Sequence, residues 1–205
     1  MDGDAPRAAA IATVAALLGV HLAADVRGAR ALRAAGKLGA SAAFLALALA
    51  LRVGGPLERG ILAGLALSAV GDALLLSERR PAFLAGLVAF LFAHVAYAVA
   101  FARVSSPSLL ALLAVAAVTA AALGWLWPSL GELRAPVVLY CAAISVMLWL
   151  ALGVDRAEIL LGAALFYASD LLVARDRFVR PGFANRLVGL PLYYAAQLLL
   201  ALAIA

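Results

Sequence analysis

The 205-residue chain is 67% hydrophobic and 13% charged, with a mean hydropathy of +1.10. Soluble domains are about half apolar and a quarter charged because water must solvate their exterior, so these totals exclude one and leave a polytopic membrane protein. One cysteine, Cys141, and two histidines, His21 and His94, exclude an internal disulfide and a Cys- or His-rich metal site; the net charge of +5 is read as a record of membrane topology, not as a nucleic-acid surface.

A bilayer core about 30 Å thick needs roughly 20 apolar residues per helix. The charged and Pro/Gly breaks delimit eight predicted spans, over 8–24, 37–53, 60–76, 82–102, 108–127, 135–152, 158–174 and 187–205. No alternating strand pattern interrupts them, and backbone groups in lipid must bond within the segment, so helices are the spanning element. The expected fold is an all-α integral membrane bundle, one domain over residues 1–205. Its longest connections are placed at 25–36 and 175–186. The first span follows Asp2, Asp4 and a single base, Arg7, and is read as a retained helix, since signal peptides open on a positive segment.

Basic residues divide unequally between the two faces. The tail and the connections after helices two, four and six carry five, and those after helices one, three, five and seven carry eleven. The positive-inside rule puts the second set in the cytoplasm and both termini outside. A faint repeat accompanies this layout. Gly64 and Gly162 each lie eight residues before an acid, Asp72 and Asp170, and an Arg/Pro/Phe turn follows in both halves (Arg79-Arg80-Pro81-Ala82-Phe83 and Arg180-Pro181-Gly182-Phe183). An offset of four helices makes the halves parallel, two four-helix units.

Ionisable groups inside spans are the informative ones, because each costs about 2.5–3.5 kcal/mol on insertion scales. Of eleven acids, Asp72 (LSAVGDALLL) and Asp170 (LFYASDLLVA) alone sit within apolar runs, and both approach the basic face. His94 has Tyr97 at i+3, Asp170 has Tyr167 at i−3 with Ser169 adjacent, and Gln197 has Tyr193 and Tyr194 at i−4 and i−3, spacings that share a helix face. Lys37, the sole lysine, opens the second span. His21 and Asp25 form an i, i+4 pair near the end of the first and are read as structural. For Gln197, Ser169 and the tyrosines, helix-to-helix hydrogen bonding weighs evenly against a functional role.

The strings SAVGDALLL, FLAGLVAFLFAHVAYAVAF, GAALFYASDLLVARDRF and LPLYYAAQLLLA resemble, in that order, the YhhN family of lysoplasmalogenases. The resemblance rests on Gly71-Asp72, on His94-x-x-Tyr97 (with Ala93 before the histidine), on Ser169-Asp170 and on Tyr194-x-x-Gln197. Lys37 stands at the family's lysine, with Leu38 where proline commonly follows. The resemblance implies hydrolysis of the vinyl ether of a lysophospholipid to a fatty aldehyde and a glycerophospho-base, with no cofactor and no metal, in a multi-pass protein of a bacterial inner membrane. That chemistry needs one carboxyl that gives a proton to the β-carbon and one that stabilises the cation or activates water, as carboxyl pairs do in glycosidases. Asp72 and Asp170 are the expected pair, their order unassigned. His94, Tyr97, Tyr194 and Gln197 are expected to support them, and Lys37, Arg79 and Arg80 to hold the substrate phosphate. The rival readings are a proton-coupled transporter or lipid translocator and a non-catalytic scaffold.

Overall fold

The computed structural model of the protein describes residues 4–51, 53–77 and 79–205. Eight helices follow one another: α1 Asp4–Val26, α2 Arg30–Ala50, α3 Pro56–Leu74, α4 Arg80–Phe101, α5 Leu109–Leu126, α6 Arg134–Ala151, α7 Ala157–Ala174 and α8 Phe183–Leu202. Local chemistry sets several of their starts. Pro56 opens α3, where Glu58 accepts from the Gly55 N–H at 2.7 Å, and Ser108 caps α5 by accepting from the Ala111 N–H at 3.1 Å. Two 3₁₀ turns, Trp127–Ser129 and Gly131–Leu133, join α5 to α6.

The eight expected helices are present, but both long connections are shorter than the sequence indicates. Residues 30–36 belong to α2, so only 27–29 lie outside helix between α1 and α2. Their Ala, Arg and Leu are strong helix formers, and this propensity outweighs the charges that suggest a loop. Gly28, at φ 66°, makes the tight turn that results. The second connection shrinks likewise, because α7 runs on into a π-helical turn, Arg175–Val179, before α8. Lys37 therefore does not open α2 at the interface. It lies in the third turn, buried.

Neighbouring helices pair as hairpins, α1 with α2, α3 with α4, and α7 with α8, while α5 leans chiefly on α6. Among the described residues six helices are long and apolar enough to cross a membrane: α1, α2, α4, α5, α6 and α7. The polar content of the other two faces inward. In α3 Asp72 is buried, and in α8 Asn185, Tyr193, Tyr194 and Gln197 are buried where it meets α1, α2, α3 and α7. Helices sheltered by others can carry such residues because lipid does not have to solvate them.

Contacts at the two ends match the alternation of an even-numbered bundle. At one end the Ser106 N–H donates to the Gly153 carbonyl at 2.9 Å and Arg156 reaches the Ala205 carbonyl at 3.5 Å. At the other, Arg186 pairs with Asp25 at 2.8 Å and with Asp176 at 3.3 Å, and Arg80 with Glu132 at 3.6 Å. Arg30, Arg33 and Arg79 lie at this second end as well, in one cleft.

Small residues let the backbones approach, the usual basis of helix packing where lipid removes the hydrophobic drive. A Cβ on Gly36 would lie 2.8 Å from both the His21 backbone nitrogen and the Leu17 carbonyl oxygen of α1. Gly36→Ala is accordingly expected to lower stability by about 1–3 kcal/mol. Gly19→Ala, with no atom within 4 Å of the added carbon, should stay within ~0.5 kcal/mol. Thermal unfolding of both variants in detergent measures the difference.

Candidate active site

Asp72 and Asp170 line one cavity, together with Lys37, Tyr140, Ser169 and Tyr193 among apolar walls, enclosing about 470 Å³ with its mouth. The two acids reach it from different helices. Asp72 comes from the last turn of α3 and Asp170 from the last turns of α7, both toward the basic end.

Their surroundings differ sharply. Asp72 is 1% exposed and receives an ammonium and two hydroxyls: Lys37 Nζ lies 3.1 Å from Oδ1, while Ser41 Oγ and Tyr193 Oη each donate to Oδ2 at 2.6 Å. Ser41 has a single hydroxyl proton, and the short contact assigns it to Asp72 over the Lys37 carbonyl at 3.0 Å. Asp170 receives one hydroxyl, from Tyr140 at 2.5 Å, and His94 Nε2 stands 3.6 Å from the same oxygen, beyond hydrogen-bond length. Among the described residues no lysine or arginine forms an ion pair with Asp170.

The expected supporting residues divide. His94 is fully buried beside Asp170, with the Tyr140 and Phe166 rings against it at 5.2 and 4.5 Å between centroids. Tyr194 holds no carboxylate; it donates to the Lys37 carbonyl at 3.1 Å and fixes the turn of α2 that presents the ammonium. Tyr97 donates to Gln197 Oε1 at 2.9 Å, a bond in the core outside the cavity wall. It joins positions separated by 100 residues, the spacing of Phe83 and Phe183 in the two predicted turns. Ser169 is occupied by the Gly189 carbonyl at 2.9 Å, which ties α7 to α8.

The basic candidates also divide. Lys37 belongs to the cavity through Asp72, not to an interfacial phosphate site, because the early start of α2 carries it inward. Arg79 lines an open cleft with Arg30 and Arg33 at the same end, beside Leu76. Arg80 lies outside that cleft, largely exposed against Glu132. His21 and Asp25 make no direct bond: His21 Nδ1 lies 2.7 Å from the Arg33 carbonyl, and Asp25 binds Arg33 at 3.4 Å and Arg186 at 2.8 Å. They clasp α1, α2 and α8 through these separate partners.

Three site residues escaped the sequence reading. Ser41 stands at i+4 from Lys37, a signal that becomes visible once α2 is extended. Tyr193 stands beside Tyr194, at i−4 from Gln197, and the spacing alone does not turn it toward Asp72. Tyr140 is a lone phenol in an apolar run, with nothing nearby in sequence to single it out.

A buried charge left without its partner is costly. Lys37→Met strands the Asp72 carboxylate and should cost about 3–5 kcal/mol. Adding Asp72→Asn removes the stranded charge and should recover more than half of the loss. Unfolding of the single and double variants in the same detergent reads this coupling.

The YhhN family model matches residues 32–204, which includes every cavity residue named above. Relatives bear the same stamp. A Mycobacterium bovis protein named lysoplasmalogenase is 36% identical over 157 residues, 70% of this chain and 59% of its own length. Lysoplasmalogenase TMEM86B of Sus scrofa is 36% identical over 159 residues (76% and 68%), and lysoplasmalogenase TMEM86A of Homo sapiens 35% over 158 (72% and 65%). The match thus spans about three fifths of the mycobacterial relative. No solved structure gives a significant match. With most of its length, cavity included, matched by the family model, the chain belongs to the YhhN family.

Proposed function

We propose that the protein hydrolyses the vinyl ether bond of lysoplasmalogens, releasing a fatty aldehyde and a glycerophospho-base, with Asp170 as proton donor and Asp72 as the charged partner. One observation carries the reading: two carboxyls share a cavity, and only Asp72 has an ammonium against it. The names of the relatives support the substrate class.

The chemistry follows from that inequality. Vinyl ether cleavage starts when an acid protonates the β-carbon. The π pair forms the new C–H bond, and an oxygen lone pair spreads the resulting charge over the C–O bond. Asp170, free of any paired lysine or arginine among the described residues, gives that proton. Asp72, its charge fixed by Lys37 and two hydroxyls, faces the oxocarbenium ion and receives a proton from the water that captures it. The hemiacetal then loses its hydroxyl proton and breaks its C–O bond to the glycerol oxygen, which takes up a proton. The proton surrendered by water returns to the carboxyl pair, so the cycle closes with no other reagent.

Tyr140 orients Asp170 by donating to Oδ2, and the His94 ring stands 3.6 Å from the same oxygen. Arg79, with Arg30 and Arg33, lines the cleft at the basic end that would receive the substrate phosphate. Tyr97 and Gln197 contribute by holding α4 to α8.

Purified protein in detergent, given lysoplasmenylethanolamine, should release aldehyde. Asp170→Asn and Asp72→Asn should each lower the rate by about 10²–10⁴. Run in heavy water, the reaction should deliver an aldehyde, trapped as it forms, that carries one solvent deuterium on the carbon next to the carbonyl. Aldehyde without that deuterium sinks the protonation step. Transfer of intact lipid across a proteoliposome membrane with no aldehyde supports the carrier reading instead.

A further inference from the structure

Beside the carboxyl cavity lies a second chamber, about 610 Å³ with its open mouth included, walled almost wholly by apolar side chains. We infer that this chamber holds the single hydrocarbon chain of the lysolipid, so that the vinyl ether is seated at the wall where the two spaces meet. The inference rests on the vinyl ether reading and adds the site and direction of the chain.

The two spaces are continuous in their lining. Phe83, Leu87, Tyr140, Asp170 and Val173 border both. Beyond that shared wall their chemistry diverges. The first space adds Lys37, Asp72 and Tyr193, and the second adds Leu126, Val137, Ile144 and Phe178. The tyrosine tips within the second are turned to protein partners, the Tyr140 hydroxyl to Asp170 at 2.5 Å and the Tyr167 hydroxyl against Thr119 at 3.1 Å, and the Arg177 guanidinium at its rim lies over the Phe83 ring at 4.1 Å. A methylene chain therefore meets no unpaired hydroxyl from either tyrosine there, and burying it is favoured by about 0.8 kcal/mol per methylene.

A lysoplasmalogen has the same division. Its glycerophosphate is polar, its chain is apolar, and the vinyl ether joins them. The β-carbon is the one on the chain side of that join, and Asp170 is the carboxyl that both spaces share, whereas Asp72 borders the polar one alone. Seating the chain in the chamber thus presents the β-carbon to Asp170 and the oxygen side to Asp72, the order that the charge partners give independently. One chamber for one chain also selects against a diacyl-type lipid, whose second chain would have to enter the polar cavity.

Access comes from the α5 side. Ala122 and Leu126 of α5 roof the chamber, and α5 packs mainly on α6 and the adjoining turns, so a lipid can slide in beneath it from the bilayer. A surface groove between α4 and α6, lined by Leu91, Val95, Val99 and Leu139, shares no residue with the carboxyl cavity and does not compete for this role.

The test uses a saturated ether lysophosphoethanolamine, which cannot be cleaved by this chemistry, bearing a photoreactive diazirine on its chain. Irradiated with the full-length protein in detergent, it should label the segments 122–126 and 137–144, and excess unlabelled ether lysolipid should suppress those adducts at least tenfold. Adducts confined to other segments, or chamber adducts no stronger than a diacyl diazirine lipid gives, overturn the inference. Ala122→Phe, which fills the chamber from its roof, should raise KM for a sixteen-carbon substrate at least tenfold more than for a four-carbon one; an equal change for both also overturns it. Chamber labelling in a protein that releases no aldehyde from lysoplasmalogen would remove the enzymatic reading and leave the chain site standing.

Discussion

The ion pair between Lys37 and Asp72 is the constraint on which the interior is arranged. A charge inside a bundle of this apolarity is tolerable only when it is paired and its remaining lone pairs are satisfied. Lys37 supplies the opposite charge at 3.1 Å, and Ser41 and Tyr193 complete the shell at 2.6 Å each. Meeting that demand draws on two helices besides α3's own carboxylate: Lys37 and Ser41 fix the rotation of α2, Tyr193 fixes α8, and Tyr194 in the next position secures the α2 backbone. The register of α2, α3 and α8 follows from one carboxylate.

Asp170 is held by a different set of helices. Tyr140 comes from α6 and His94 from α4, so the second acid ties together the half of the bundle that the first does not reach. The two shells meet at the shared cavity. The outcome is a pair of chemically identical side chains in unequal settings, one beside an ammonium and one among a phenol, an imidazole and apolar walls. General acid/base work by carboxyl pairs depends on this kind of inequality. It arises from which helix supplies a lysine, without strained backbone; among the described residues every positive φ belongs to glycine.

Glycine and alanine make those distances possible. Gly64 lies under the Tyr97 ring and Gly71 under Phe90, so α3 and α4 come close enough for a buried cavity to remain small. At the basic end Asp25, Asp176, Arg33 and Arg186 bind α1, α2, α8 and the π-helical turn into one polar collar. That collar and the arginine cleft beside it share an end of the molecule with both carboxyls.

The sequence by itself determined the membrane class, the eight helices, the two intramembrane acids and the inward-facing histidine, because each is a departure from lipid solubility that composition or a single span displays. It misplaced Lys37, since charge near a helix start reads as a loop when helix propensity is not weighed against it. It preferred Tyr194 to Tyr193, since adjacent positions on a helix point about 100° apart and only the position of α3 reveals which one meets a carboxylate. Tyr140 and Ser41 had no sequence signal of comparable strength. Tertiary structure alone decided that the two acids share a cavity, that the lysine compensates one of them, and that the other borders an apolar chamber. The reason is physical: the cost of a charge in lipid is written in one residue, whereas its compensation is written in whichever neighbours packing brings within about 3 Å.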